Sequence, residues 1–352
     1  MIRNASGQLA SSLPSLVRPV GGAAVGILFM IAALAALGAN PVAVSALIAD
    51  AVFGSPPQQV DAIVQAVPIG LMALGYCFSF RASFWNIGGE AYFYLGATVA
   101  MTIGLKVHNL PAPVTVVLMT LGGALAGGAL SAIAGLLRAY RDINEVVVTL
   151  MMNLVMVQIV AFAATGPLAN PLSNLGFSEP IPASLWLPTL GLTGPHMGAL
   201  ALVPALIVSY YLLTRSGFGD RIRVVGANPD TARANGIPVA RTLIMVSIAT
   251  GVLGGLAGVA HAVGSTHRVY VGLSPAPGFG YIAIIAALLG ANRPIGALLA
   301  AFFYTFLSEV SDGLQVQFGI DRSFITVFFV LTLVSVLAAN AIPRRQQRAA
   351  PT

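Results

Sequence analysis

The chain has 352 residues, of which 57% are hydrophobic and only 8% charged, with a formal net charge of +6. This number of charges is too small to cover the surface of a soluble domain of this size. The composition therefore excludes a soluble globular protein and indicates an integral membrane protein. No polar stretch is long enough for a separate domain of ordinary size. We expect a cytoplasmic segment at 1–19, a single all-α transmembrane domain at 20–342 and a cytoplasmic basic tail at 343–352.

Apolar runs near the length of a membrane-spanning helix, roughly 20 residues, recur along the chain. They predict about ten crossings, at 20–38, 62–80, 88–105, 113–137, 146–164, 198–213, 242–262, 278–291, 295–311 and 322–341. With the N-terminus inside, 14 of the 17 Lys and Arg residues fall on the cytoplasmic side and only Lys106, Arg268 and Arg322 fall outside. Because basic residues favour cytoplasmic loops, both termini are predicted to be cytoplasmic, and nucleic-acid binding is not needed to explain the charge.

Two of the predicted crossings are interrupted. The stretch "FWNIGGE" at 84–90 breaks one apolar run, and "SPAPGFG" precedes an apolar run at 281–291 of about 11 residues, which is too short to span alone. Broken backbone at membrane depth is tolerated only where protein covers it or where it lines a cavity. A pair of such breaks in different halves of a transporter points to the substrate path. We therefore predict at least two broken or re-entrant segments beside that path.

The first break contains a small polar group. Asn86 is a good N-cap for the helix that follows, and Glu90 in its first turn suits the positive end of the helix dipole. Glu90 is the membrane-region carboxyl group that the predicted spans place deepest, and it could be held by the dipole, by Arg81 or by both. The alternative is that 84–90 is only a turn at the cytoplasmic surface, the side that Arg81 marks.

The basic loop at 214–241 predicts a short helix, with residues typical of a helix start and a helix end. Asn228 is a good N-cap, Pro229 fits the first helical position and Asp230 complements the dipole, whereas Gly236 provides a stop and Pro238 prevents continuation. A helix of about two turns is marginal in water. We therefore predict that it docks onto a partner protein, with a solvated capped turn as the alternative.

Several motifs are missing from the sequence. It has no G-x-x-x-x-G-K-[ST] phosphate loop, no H-E-x-x-H and no Cys/His cluster, which argues against an ATP site or a metal site in this chain. The glycines of "GGALAGG" and "GVLGGLAG" recur at helical spacing within apolar runs, as in close helix contacts. Structural roles are favoured for Cys77 and for the scattered histidines, His108, His196, His261 and His267.

Four stretches carry a resemblance: "FRASFWNIGGEAYFYLGA", "INEVVVTLMMN", "RVVGANPDTARANGI" and "GFGYIAIIAALLGANRPIGALLAAFFY". They resemble the permease subunits of bacterial ABC importers for nucleosides and simple sugars, which are the partners of basic-membrane-protein-type binding proteins. Ribose and branched-chain amino-acid permeases belong to the same wider superfamily. The resemblance runs from about Val60 to Asn340. It departs from the usual "FNIGGEGQ" at Trp85, Ala91 and Tyr92.

The resemblance implies a transport subunit, not an enzyme, in the bacterial cytoplasmic (inner) membrane. Its partners would be a second homologous permease, cytoplasmic ATP-binding subunits that bind ATP and Mg²⁺, and a periplasmic or lipid-anchored substrate-binding protein. This chain itself would bind no cofactor and no metal. Its substrate would be a nucleoside or related purine compound, or alternatively a pentose or hexose. An autonomous secondary carrier is the alternative from another class.

The same resemblance implies roles for individual residues. A neutral, hydroxyl-rich substrate needs hydrogen-bonding groups and stacking faces. Along the substrate path these would come from Phe84, Trp85, Asn86, Gly88, Gly89, Tyr92, Phe279 and Tyr281. Arg81 and Glu90 would give structural support. The helix that couples the permease to the ATPase would comprise Asn228, Pro229, Asp230, Arg233 and Gly236.

Overall fold

The computed structural model describes residues 31, 34–35, 40–54, 56–107, 109–172, 176–191, 193–274, 278–319, 321 and 323–341. Most of the predicted crossing at 20–38, the segment 1–19 and the tail 343–352 lie outside the described residues. The cytoplasmic placement of both termini therefore stays a prediction.

The described residues form helices and, among them, no strand beyond three isolated bridges. The α-helices are α1 (Pro41–Phe53), α2 (Pro56–Arg81), α3 (Gly89–Lys106), α4 (Ala112–Arg141), α5 (Glu145–Thr165), α6 (Leu202–Thr214), α7 (Gly217–Ala227), α8 (Pro229–Ala234), α9 (Val239–His261), α10 (Phe279–Leu289), α11 (Pro294–Phe318) and α12 (Ser323–Ala341). A 3₁₀ turn at Met197–Ala201 leads into α6, and a π-helical turn at Ala262–Thr266 extends α9.

Six helical segments in the described part of the chain are long and apolar enough to cross a membrane. They are Pro56–Arg81, Ala112–Arg141, Glu145–Thr165, Met197–Thr214, Val239–Thr266 and Pro294–Phe318. The all-helical membrane fold is confirmed, whereas the count of about ten crossings stays a prediction. Helix α1 was not predicted from the sequence, although it carries ordinary start signals: Pro41 opens it and the Asn40 side chain caps it.

The chain divides into two compact units, residues 56–305 and residues 1–55 with 306–352. In the first unit, α9 lies against α4, α2 and α3. A Cβ atom at Gly127 would collide with the backbone oxygen of Gly251, and one at Gly255 with that of Gly123. The glycine runs therefore serve close helix contact, as the sequence predicts. In the second unit, Leu47 of α1 packs over Gly313 of α11.

The short helix α8 is capped as the sequence predicts. The Asn228 side chain accepts hydrogen bonds from the backbone N–H groups of Asp230 and Thr231, and Gly236 has the left-handed φ of +73°. The helix is not isolated, however, because Ala232 is fully buried against Val225 of α7 and Val239 of α9. Packing within the chain thus supports α8, and the argument that its stability needs an outside partner was wrong.

Candidate functional site

The first break starts at the end of the bundle where α7 lies. The Arg81 guanidinium donates hydrogen bonds to the carbonyl oxygens of Leu213 and Asn292, and the Ser83 hydroxyl donates to the carbonyl oxygen of Gly226. Arg81 therefore joins three chain segments at this end. The suggested pairing of Arg81 with Glu90 was wrong: in the described part of the chain no ion pair joins them, and both groups have other partners.

From there the chain runs into the protein interior. Asn86 is fully buried, and its side-chain oxygen accepts hydrogen bonds from the Gly88 N–H and the Tyr92 hydroxyl, at 3.0 and 2.8 Å. Its amide donates to the Ser131 hydroxyl of α4. The N-cap of α3 is Gly88, so the prediction that Asn86 occupies this position was wrong by two residues. The Asn86 side chain instead accepts a hydrogen bond from the Gly88 N–H, just before the helix starts.

A polar stripe on α5 satisfies the backbone of the break. Glu145, Thr149 and Asn153 lie at positions i, i+4 and i+8, which place them on one face of the helix. They accept hydrogen bonds from the backbone N–H groups of Trp85, Ile87 and Ala91, at 3.1, 3.1 and 2.9 Å respectively. The Asn153 amide also donates to the Ile87 carbonyl, at 2.9 Å.

Because these partners replace the intrahelical bonds that the break lacks, the open backbone can remain in the bilayer region. Another partner comes from α2, where the Tyr76 hydroxyl accepts from the Gly89 N–H. At the start of α5, Glu145 is almost fully buried, and Arg138 lies 3.3 Å from its second carboxyl oxygen. The described break therefore has hydrogen-bonding partners on α2, α4 and α5.

Glu90 connects the first break to the second. One of its carboxyl oxygens accepts from the Gly280 backbone N–H at 2.5 Å and from the Ser274 hydroxyl at 3.1 Å. The Ser274 hydroxyl in turn accepts from the Phe279 N–H at 2.7 Å. An acidic group suits the positive ends of helices, and Glu90 lies in the first turn of α3 and against the first turn of α10. A single buried carboxyl group thus holds the starts of both helices.

The second break has the form that the sequence predicts. Helix α10 is 11 residues long, too short to cross a bilayer alone, and Gly278 before it has φ of +111°. The prolines at 275 and 277 lie outside the described residues. A side chain at Gly278 would have an unfavourable backbone conformation and would also meet the Glu90 carboxyl group.

The structure brings the starts of α3 and α10 together at Glu90, whereas Trp85 bonds to Glu145 at the other end of the first break. Most of the predicted path residues are buried, namely Phe84, Asn86, Gly88, Gly89, Tyr92 and Phe279. Trp85 is 48% exposed, and Tyr281 is half-buried with its hydroxyl 3.4 Å from the Asn153 amide. Trp85 and Tyr281 are therefore accessible from outside the chain, whereas Asn86 is not.

Sequence reasoning missed the α5 stripe and the Ser131, Tyr76 and Ser274 hydroxyl groups. The stripe had a readable signal, because E-x₃-T-x₃-N places three polar groups on one face of an otherwise apolar span. The three hydroxyl groups had none, since a single Ser or Tyr in an apolar helix is common. No group of three or more possible metal ligands occurs among the described residues.

The sequence pattern of one protein family, described as "Branched-chain amino acid transport system / permease component", matches residues 59–337. The chain belongs to this family. The permease is 28% identical to the glucose ABC transporter permease protein of Haloferax volcanii, over 81% of this chain and 77% of that protein. It is 26% identical to the guanosine ABC transporter permease protein of Bacillus subtilis, over 95% of each chain. No solved structure matches the permease significantly.

A third relative is the nucleoside ABC transporter permease protein of Lactococcus lactis, 27% identical over 70% of each chain. These relatives place the chain among ABC transporter permeases, and its apolar helices make it a multi-pass membrane protein. Both breaks, at 84–90 and at 275–280, lie within the matched range 59–337.

The α5 stripe can be tested with a pair of nearly isosteric substitutions. Thr149→Val leaves the Ile87 N–H without an acceptor, so we expect it to lower the free energy of unfolding by about 1–3 kcal/mol. Thr120→Val is the control, because the Thr120 hydroxyl only bonds back within α4, to the Val116 carbonyl. Thermal unfolding of the purified permease measures both. Equal unfolding temperatures for the two variants would contradict the role of the stripe.

Proposed function

We propose that this permease is the membrane-spanning subunit of an ATP-binding-cassette importer and forms the translocation path for a nucleoside or related purine compound. The observation that carries the proposal is the similarity to the guanosine permease over 95% of both chains. The similarity to the glucose permease supports the alternative, the same role for a simple sugar. Both substrate classes are neutral and rich in hydroxyl groups.

The two breaks are the proposed position of the path. Trp85 and Tyr281 offer aromatic surface next to polar groups, since the Trp85 N–H donates to Glu145 and the Tyr281 hydroxyl accepts from the Asn153 amide. Aromatic faces with a few fixed polar groups suit a nucleoside or a sugar ring. Glu90 supports the starts of α3 and α10 and need not touch the substrate, because its carboxyl group already accepts from Ser274 and Gly280.

The exposed side of α8 is the proposed contact with the ATPase. Apart from the buried Ala232, residues 228–236 are exposed, including Asn228, Pro229, Asp230, Arg233 and Gly236. Arg233 and Asp230 form an ion pair across one turn, so this surface carries both signs of charge. Beside it lies a groove of about 390 Å³ between α7 and α8, lined by Asp220, Arg223, Val224, Ala227, Asn228 and Thr231.

The remaining partners follow from this role. A cytoplasmic ATP-binding subunit would hold ATP and Mg²⁺, and this chain would bind no cofactor of its own. A second homologous permease would complete the membrane part, and a periplasmic or lipid-anchored binding protein would deliver the substrate at the inner membrane. Helix α8 is short and is supported by packing within the chain, so it could receive a movement that ATP hydrolysis drives in the ATP-binding subunit.

Uptake by the assembled transporter tests this function. The permease, produced with its ATPase, second permease and binding protein in proteoliposomes, should import labelled guanosine only with ATP inside. Labelled glucose run in parallel distinguishes the sugar alternative. An ATPase-inactive variant is the control. Uptake of either compound by this chain alone, without ATP, would contradict the proposal in favour of a secondary carrier.

A substitution at the end of α8 tests coupling. Gly236 has φ of +73°, and a Cβ atom there meets nothing within 4 Å, so Gly236→Val perturbs only the backbone, at a cost of roughly 1 kcal/mol or more. We expect transport to fall severalfold while ATP hydrolysis continues and the permease still inserts. Gly217→Ala is the control, since Gly217 is equally open and has no left-handed backbone. Unchanged transport by Gly236→Val at normal expression would contradict the docking role.

A further inference from the structure

Three of the histidines that are scattered in the sequence lie together at the end of α9 remote from α8. His261 ends α9, His267 follows the π-helical turn, and His196 packs its ring against Gly264 in the middle of that turn. The loop that carries His196 is fixed there by a hydrogen bond from the Leu187 N–H to the Val263 carbonyl. This is the end predicted to face outside. We call His196, His261 and Ser265 the outer cluster.

The outer cluster holds buried polar atoms that lack partners. His196 is 4% exposed and His261 9% exposed. Among the described residues, neither ring nitrogen of His196 has a hydrogen-bond partner, and the same holds for Nδ1 of His261 and the Ser265 hydroxyl. The His261 ring also bonds to the backbone of Leu273, which leaves its Nδ1 as a free acceptor. His196 and His261 are neighbours, and Ser265 directly follows Gly264, against which the His196 ring packs. Buried polar atoms are nearly always paired, so unpaired atoms on these neighbouring residues indicate that something else pairs with them.

The surroundings of the outer cluster connect the protein surface to the two breaks. On one side, Trp186 stacks flat on His267 at 3.8 Å between ring centroids and is 43% exposed. On the other side, the His261 ring packs against Phe279 at 5.1 Å and against Phe93 at 5.8 Å. Phe279 is the first residue of α10. The N–H of the next residue, Gly280, donates a hydrogen bond to the Glu90 carboxyl group. The cluster therefore lies between an exposed aromatic surface and the candidate site.

The chemistry of these groups limits what can bind. Burial and the neighbouring His267 lower the pKa of His196 to about 4, so its ring is neutral near pH 7 and has one donor and one acceptor nitrogen. The Ser265 hydroxyl also offers both roles, and His261 offers an acceptor. A neutral set of mixed donors and acceptors suits hydroxyl groups, each of which donates and accepts. A metal ion is not indicated, because no three His, Cys, Asp or Glu side chains converge among the described residues.

We propose that the outer cluster is an entry subsite that binds the hydroxyl groups of a sugar ring, either in a nucleoside or in a free sugar. The exposed face of Trp186 would contact the base of a nucleoside or the apolar face of a free sugar. The identity of the solute rests on the proposed function. The position of the subsite rests on the orphan atoms of His196, His261 and Ser265.

Cysteine labelling in the complete transporter tests the subsite. In a Cys77→Ser background, Ser265→Cys should react with an impermeant methanethiosulfonate reagent from outside. Saturating guanosine or glucose should slow that reaction, by about fivefold when the solute is at several times its Kd. Protection by guanosine alone assigns the subsite to nucleosides, and protection by glucose alone assigns it to free sugars. No protection by either, or no reaction in any condition, would overturn the proposal.

Two comparisons make the result specific. Thr165→Cys is the control, because Thr165 is exposed at the end of α5 on the same predicted outer side, where its hydroxyl bonds back to the Ala161 carbonyl, so it should be labelled without protection. Adding His261→Phe to Ser265→Cys keeps the aromatic contacts but removes Nδ1, so protection should be lost while labelling continues. Uptake by the unmodified transporter separates the two proposals: uptake of guanosine without protection at position 265 rejects the subsite and leaves the importer function intact.

Discussion

Hydrogen bonding of buried backbone groups at the two breaks shapes the rest of this structure. A buried N–H has no water to pair with, so a broken helix must find its partners within the protein. At the first break these partners come from Tyr76, Glu145, Thr149 and Asn153, and from Asn86 within the break itself. The Glu90 carboxyl group then connects this break to the start of α10. Neither α3 nor α10 can shift without breaking some of these hydrogen bonds.

The helices around the breaks differ in how they are held. Helix α9 meets α4 through glycines at backbone contact, and paired hydroxyls, Ser79 with Thr250 and Ser131 with Ser247, tie it to α2 and α4. Helix α5, by contrast, exposes much of its apolar surface and is joined to the break by its polar stripe. Packing within the chain therefore holds α5 less tightly than α9.

The sequence predicts the membrane fold, the 11-residue α10 and the caps of α8, because length, apolar runs and cap residues are local signals. It also predicts that Glu90 is deep and structural. It does not predict Ser274 as a partner of Glu90, since the two residues are 184 positions apart and only tertiary packing brings them together. The same limit explains the error on Arg81, whose proximity to Glu90 in sequence suggested a pair. The meeting of His196 with His261 was missed for this reason as well.

Glu90 holds the second break to the first, and a double-mutant cycle tests this role. Glu90→Met removes the acceptor at similar length, and Ser274→Ala removes the donor. Thermal unfolding of the purified permease gives the free energy for each single variant and for the double variant. We expect a coupling energy of about 1 kcal/mol, because Ser274→Ala loses the bond to Glu90 only when Glu90 is present, whereas it loses the bond from the Phe279 N–H in both backgrounds. Additive effects of the two substitutions would contradict it.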